Sequence, residues 1–94
     1  MTQAAKRFTD LRAWQGCDTY KKAVYRLCHE PPLAHDYRLR GQLETAVAAA
    51  PAHVAEGFGV MARASLMESR NHLLDAVDKA YITEDTRLSV NALA

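Results

Sequence analysis

Apolar residues recur along this chain at steps of three and four, the period of a helix face buried against neighbours. Leu39, Leu43, Ala46, Val47 and Ala50 make one such stripe. Pro51 then removes a backbone N–H and pushes Ala50 away from ideal helical geometry. The rhythm nevertheless continues through Val54, Ala55 and Phe58, which predicts one kinked helix rather than two. Gly57 and Gly59 are expected to end it, because glycine takes a positive φ without strain. The alanines at 48–50 and 52 leave room for a neighbouring helix to approach closely.

The same period places three further helices. Residues 1–7 are polar and read as a disordered N-terminus, with a single domain over 8–94. Phe8-Thr9-Asp10-Leu11 reads as a helix start capped by Thr9 or Asp10. Leu11, Trp14, Cys17, Tyr20 (or Lys21), Val24, Leu27 and Cys28 form its apolar stripe, with Trp14 as a core anchor. Pro31 and Pro32 stop that helix in the linker 29–35, and Asp36 is placed to cap the next one. Beyond Gly59, Ala62, Leu66, Ser69, Leu73, Ala76 and Ala80 alternate spacings of four and three, a seam suited to close helix pairing. Leu74, Val77 and Tyr81 make a second, adjacent stripe, so this helix is expected to have one partner inside the bundle and another elsewhere. Thr83 caps a short last helix, with Glu84 and Asp85 in its first turn and Leu88, Val90 and Leu93 as its apolar residues. The expected architecture is an all-α, antiparallel up-down four-helix bundle whose fourth helix is short.

Composition narrows the function classes. With 94 residues, 49% of them apolar, the chain makes one small domain. Such a domain buries roughly two-thirds of its unfolded surface, and self-association is a common remedy for the limited stability that results. The net charge of +1 gives no bulk signal for nucleic acid. The distribution is less even: residues 1–47 carry eight Lys/Arg against five Asp/Glu, and residues 48–94 carry four against six. Cys17 and Cys28 lie eleven residues apart on one helix, about 16 Å along its axis. They cannot bridge to each other and read as core residues of a reduced protein. No signal peptide and no apolar run of membrane-spanning length is present, which predicts a cytoplasmic protein with no membrane contact.

Candidate chemistry is sparse. His53 with Glu56, and Glu68 with His72, are spaced to share a helix face. A di-iron bundle usually needs Glu-x-x-His pairs on two helices, and the chain has none, so a surface ion pair or a helix-end hydrogen bond is the expected role and no metal or cofactor is expected. Neither Ser65 nor Ser69 sits in a nucleophile motif, and the glycines are too few for a phosphate loop. No catalytic residue is expected, and the chain reads as a non-enzyme. Lys6, Arg7 and Arg12 near the start of the first helix, and Lys21, Lys22 and Arg26 near its end, are candidate nucleic-acid contacts. Asp10, Asp18 and Glu30 oppose them, so binding is expected to be weak and sequence-independent.

Several motifs belong together. Gln42-Leu43, Ala46 and Pro51-Ala52-His53-Val54-Ala55-Glu56-Gly57-Phe58-Gly59 resemble the Q-L-x-x-A-x-x-S-I-P-x-N-I-A-E-G motif of the 23S ribosomal RNA intervening-sequence family of four-helix bundle proteins. The accessory variability proteins of diversity-generating retroelements are similar. Phe8-x-Asp10-Leu11-x-x-Trp14-Gln15 resembles that family's F-x-D-L-x-x-W-Q opening, and Tyr25 matches an aromatic position. Ala62-Arg63-Ala64-Ser65-Leu66-x-Glu68 and Tyr81-Ile82-Thr83 resemble its third helix and the G-Y-I-T that follows. His53 stands where the family has Asn, Ala49-Ala50 where it has Ser-Ile, and Glu44-Thr45 where it has a basic pair. About three helical turns that the family carries after A-E-G-x-G have no counterpart after Gly59, and the fourth helix is short.

The resemblance implies a bacterial homo-oligomer, a pentamer, in which Trp14, Pro51, His53, Glu56 and Gly57 hold structural motif positions. A two-fold dimer is the alternative from the residues themselves. Two functions compete: a scaffold or protein-interaction module, and a nucleic-acid accessory that partners ribosomal RNA or a reverse transcriptase. The retroelement proteins are strongly basic and this chain is nearly neutral, which favours the scaffold.

Overall fold

The structure is a computed structural model that describes residues 3–93, with side chains from Asp10 onward; Met1, Thr2 and Ala94 lie outside the described residues. It is all-α, and no strand occurs among the described residues. Four helices pack together: α1 (Gln3–Cys28), α2 (Tyr37–Ala55), α3 (Gly59–Asp78) and α4 (Glu84–Asn91), with one 3₁₀ turn at Leu33–His35. α2 is the middle member and packs along both α1 and α3. The start of α2 lies beside the end of α3, where Asp36 meets Lys79 and Tyr81. The end of α2 lies beside Asp10, Leu11 and Trp14 of α1. The short α4 touches both α1 and α3 and inserts Val90 into the core.

The α2 stripe is buried as its spacing predicts: Leu39, Leu43, Ala46, Val47 and Ala50 are all inside, and Pro51 is buried within a continuous helix. The stripe fades beyond Pro51. Val54 is half-buried, Ala55 is exposed, and Phe58 is 49% exposed, and a hollow rather than a packed contact separates this end of α2 from α1. On α1, Cys17, Tyr20, Val24 and Cys28 join the core. On α3 the expected seam is internal through Ala62, Ser69, Leu73 and Ala76, with Leu66 packed at its edge. Ala80 is exposed and falls beyond the helix.

Three expectations need revision. The backbone of α1 is helical from Gln3, so the expected start at Phe8–Leu11 lies inside the helix; Asp10 is an interior residue, and the Thr9 side chain lies outside the described ones. Gly59 is the first residue of α3 and does not terminate α2. Trp14 is 37% exposed and Leu11 53% exposed, so the α1 stripe leaves the core before Cys17. At about 1.5 Å per residue, α1 is longer than α2 or α3 and overhangs them at its N-terminal end.

Local chemistry fixes the helix ends. Asp36 caps α2 by accepting from the Leu39 N–H at 3.1 Å, and Thr83 caps α4 by accepting from the Thr86 N–H at 3.1 Å. α2 closes with two turn bonds: the Gly57 N–H donates to the Val54 carbonyl at 3.0 Å and the Phe58 N–H to the His53 carbonyl at 2.7 Å. This motif places its C′ residue in the left-handed region, and Gly57 has φ 82°. Phe58 also caps α3, since its carbonyl accepts from the Ala62 N–H at 3.0 Å. α3 closes in the same way, with Ala80 donating to Val77 at 2.9 Å and Tyr81 to Ala76 at 2.8 Å. Here the left-handed position is held by alanine, at φ 61°.

One polar pair crosses the core. The Ser69 hydroxyl donates to the Leu66 carbonyl at 2.7 Å, so the Tyr20 hydroxyl, 2.7 Å away, donates to Ser69. Both residues are fully buried, and the bond joins α1 to α3 across 49 positions of sequence.

Two stability predictions follow from these features. A Cβ at Gly57 meets nothing within 4 Å, so Gly57→Ala is expected to cost about 1 kcal/mol through backbone conformation alone, and Ala80→Gly to stabilise by a similar amount. Urea unfolding checks both, and equal effects at the two sites would contradict the left-handed assignments. Ser69→Ala leaves the Tyr20 O–H buried without an acceptor and is expected to cost about 1–3 kcal/mol, more than Tyr20→Phe at about 1 kcal/mol. The double variant is expected to cost less than the two singles together; additive costs would show that the hydroxyls do not interact.

Candidate functional site

α1 and the last turn of α2 border an open hollow of about 410 Å³, lined by Asp10, Leu11 and Trp14 from one side and Val54, Ala55, Glu56 and Gly57 from the other. It exists because α1 runs on beside the turn that ends α2, while no described segment fills the gap between them. Two of the chain's motif regions thus converge, Asp10-Leu11-x-x-Trp14 and Ala55-Glu56-Gly57. An indole beside apolar walls and two exposed carboxylates suits an apolar or cationic group. The ionisable side chains in the described lining are the carboxylates of Asp10 and Glu56.

Pro51 and His53 are not part of this lining. Pro51 is buried in the interior of α2. His53 is half-buried, and its Nδ1 is buried with no hydrogen-bond partner among the described residues. Glu56 is the exposed C-cap of α2. Glu68 approaches His72 Nε2 at 3.6 Å, an ion-pair distance too long for a hydrogen bond. Among the described residues, no group of three or more His, Cys, Asp or Glu side chains is placed to hold a metal ion.

The candidate nucleic-acid contacts are distributed along α1. The Lys6 and Arg7 side chains lie outside the described ones. Arg12, Lys22 and Arg26 are exposed and Lys21 is half-buried. Lys21 and Lys22 both reach Asp18, at 3.1 and 2.9 Å. Their hydrogen bonds, Lys22 first, hold the Asp18 carboxyl below its usual range. One carboxylate therefore offsets part of this cluster's charge. The two thiols are buried: desolvation raises Cys17, and pushes Cys28 up to about 11, with the Glu44 carboxylate adding to the effect and Arg40 opposing it. Neither is a thiolate at neutral pH.

A second, polar hollow of about 360 Å³ lies where α2 begins and α3 ends, around Asp36, His72, Asp75 and Lys79. Asp36 organises it. One carboxylate oxygen caps α2, and the other accepts from the Tyr81 hydroxyl at 3.0 Å and from Lys79 Nζ at 3.3 Å. Lys79 also meets Asp75 at 3.4 Å. The cap was legible as Asp before Tyr-Arg-Leu; its bonds to residues more than forty positions away were not.

Compared with family models, curated proteins and solved structures, the chain matches none. Among the described residues no helix is long and apolar enough to cross a membrane.

The Asp36 cluster predicts a pH dependence. The Leu39 N–H, the Tyr81 hydroxyl and Lys79 lower the Asp36 pKa, so its contribution is present above the unfolded value, about 3.9, and is lost as pH falls through the lower folded value. Lys79 and Tyr81 are raised, chiefly by Asp36, so their contributions are present below their unfolded values and are lost as pH rises through the folded ones. Asp36→Asn is expected to lower the Tm at pH 7 and to narrow the Tm difference between pH 7 and pH 3. An Asp36→Asn variant that loses as much Tm on acidification as the parent would contradict the assignment.

Proposed function

We propose that this chain is a non-catalytic helical scaffold that acts as a homo-oligomer, an antiparallel up-down bundle related to the 23S ribosomal RNA intervening-sequence family. The observation that carries the self-association is on α3, where Val60 is 86%, Met67 59% and Leu74 43% exposed although the helix already buries its other face. A chain of 94 residues that leaves such a row in water gains stability by covering it with another copy. The up-down order is supported by the two neighbourhoods of α2, its start against the end of α3 and its end against Asp10–Trp14 of α1. The family relationship is supported by the meeting of two of its motif regions around one hollow, through Trp14, Glu56 and Gly57. It implies five copies, whereas the α3 face favours two. The nucleic-acid reading is disfavoured by Lys21 and Lys22 sharing Asp18, and by the acidic balance of the second half.

Light scattering coupled to size exclusion at micromolar concentration is expected to give two or five times the 10.4 kDa chain mass. A folded monomer at every concentration overturns the scaffold reading. Fluorescence anisotropy with a structured RNA and a duplex DNA is expected to show weak binding at low salt and none at physiological salt. Tight binding that survives physiological salt would replace the scaffold by the nucleic-acid accessory.

A further inference from the structure

The outer face of α3 has a second period. Val60, Ala64, Met67, Asn71 and Leu74 alternate steps of four and three, and all five are exposed. The core seam of Ala62, Ser69, Leu73 and Ala76 lies on the opposite side. At about 100° per residue the two rows point nearly 180° apart, so the outer row faces away from α1, α2 and α4 and a second helix can reach it.

In heptad terms Val60, Met67 and Leu74 are d positions, and Ala64 and Asn71 are a positions. Arg63 and Arg70 then fall at g, and Glu68 and Asp75 at e. In a parallel pair of such helices, each g residue meets the e residue five positions later on the other copy. That pairs Arg63 with Glu68 of the partner subunit and Arg70 with Asp75 of the partner subunit, and each pair recurs by symmetry. The face is self-complementary, as a two-fold interface requires. The antiparallel arrangement sets g against g and e against e, arginine on arginine and carboxylate on carboxylate. Asn71 at a would face Asn71 of the partner subunit, the position at which a buried asparagine fixes register and two-strandedness.

The charges are open to such pairing. Neither Arg63 nor Arg70 has an ion pair among the described residues. Glu68 has only His72 at 3.6 Å, and Asp75 only Lys79, which it shares with Asp36. The seam stops at Leu74, because the next a position is Asp78, the last residue of α3, which would meet its own copy. Two heptads are short for an isolated coiled coil. Here α3 is already held helical by its inner face, so association does not have to fold it.

We propose that the outer face of α3 is a two-fold, parallel homodimer interface, occupied by the same face of a second copy and selected by the Arg63–Glu68 and Arg70–Asp75 pairs. This rests on the self-association reading and specifies its surface, partner and direction.

The test uses the full chain. Glu68→Arg/Asp75→Arg makes every flanking charge positive, and Arg63→Glu/Arg70→Glu makes every one negative. Each variant is expected to raise the dimer dissociation constant by roughly tenfold or more, read by sedimentation equilibrium, while helical circular dichroism confirms folding. An equimolar mixture is expected to restore a dimer. Asn71→Cys, an exposed substitution that leaves the charges intact, is expected to give a disulfide-linked dimer under mild oxidation, since only the parallel register brings residue 71 to its own copy. Self-association that withstands the charge reversals, or an Asn71→Cys protein that associates but does not cross-link, overturns this interface and leaves the scaffold reading standing. A monomeric parent protein overturns both.

Discussion

The structure depends on one constraint: α2 must bury two sides at once. It is the helix against which both α1 and α3 pack, and its stripe of Leu39, Leu43, Ala46, Val47 and Ala50 is almost completely removed from water. Small residues make this possible, because alanine lets two neighbours approach without a side chain to displace. Its ends are fixed by the two devices that cost least in sequence, a carboxylate at the start and a glycine at the finish. Asp36 then does more than cap. By also receiving Tyr81 and Lys79 it ties the start of α2 to the chain that leaves α3, so the two helices share one fixed corner.

The parts of the fold that depend on neighbouring residues were legible in the sequence. The α2 stripe, the inner seam of α3 and the caps Asp36 and Thr83 all stand where spacing and side-chain chemistry put them. What spacing does not encode is where the other helices stop. Trp14 and Leu11 continue the α1 stripe in sequence, yet they emerge from the core because the turn that ends α2 leaves an open hollow beside them instead of a packed helix face. Gly59 looked like a stop, but the turn was completed by Gly57, and the next residue already caps another helix. Ser69 sat visibly within an apolar seam, and a hydroxyl in such a place implies a buried partner; that the partner is Tyr20 required the tertiary structure.

The candidate site was legible to a different degree. Trp14, Glu56 and Gly57 stood out as motif residues on two helices, and their convergence on one hollow depends on the overhang of α1, which no local pattern predicts. The exposed row of α3 was half visible. Leu74 was read as part of a second stripe with Val77 and Tyr81, but Tyr81 turns inward towards Asp36, and the exposed row runs instead through Val60 and Met67. A helix with apolar residues on two faces has two adjacent ways to continue each stripe, and the choice is made by which residues the bundle covers.

The link between α2 and α3 is only three residues, Glu56, Gly57 and Phe58, and Phe58 serves the end of one helix and the beginning of the next. Closing so short a connection costs little chain entropy, whereas the eight residues between α1 and α2 must be ordered through two prolines and a separate turn. Among the described helices, the α2–α3 pair therefore combines the closest packing with the smallest closure cost, the kind of unit that local contacts favour early in folding. The buried bond from Tyr20 to Ser69 is then a contact of high sequence separation, closed only when α1 and α3 meet in the folded bundle.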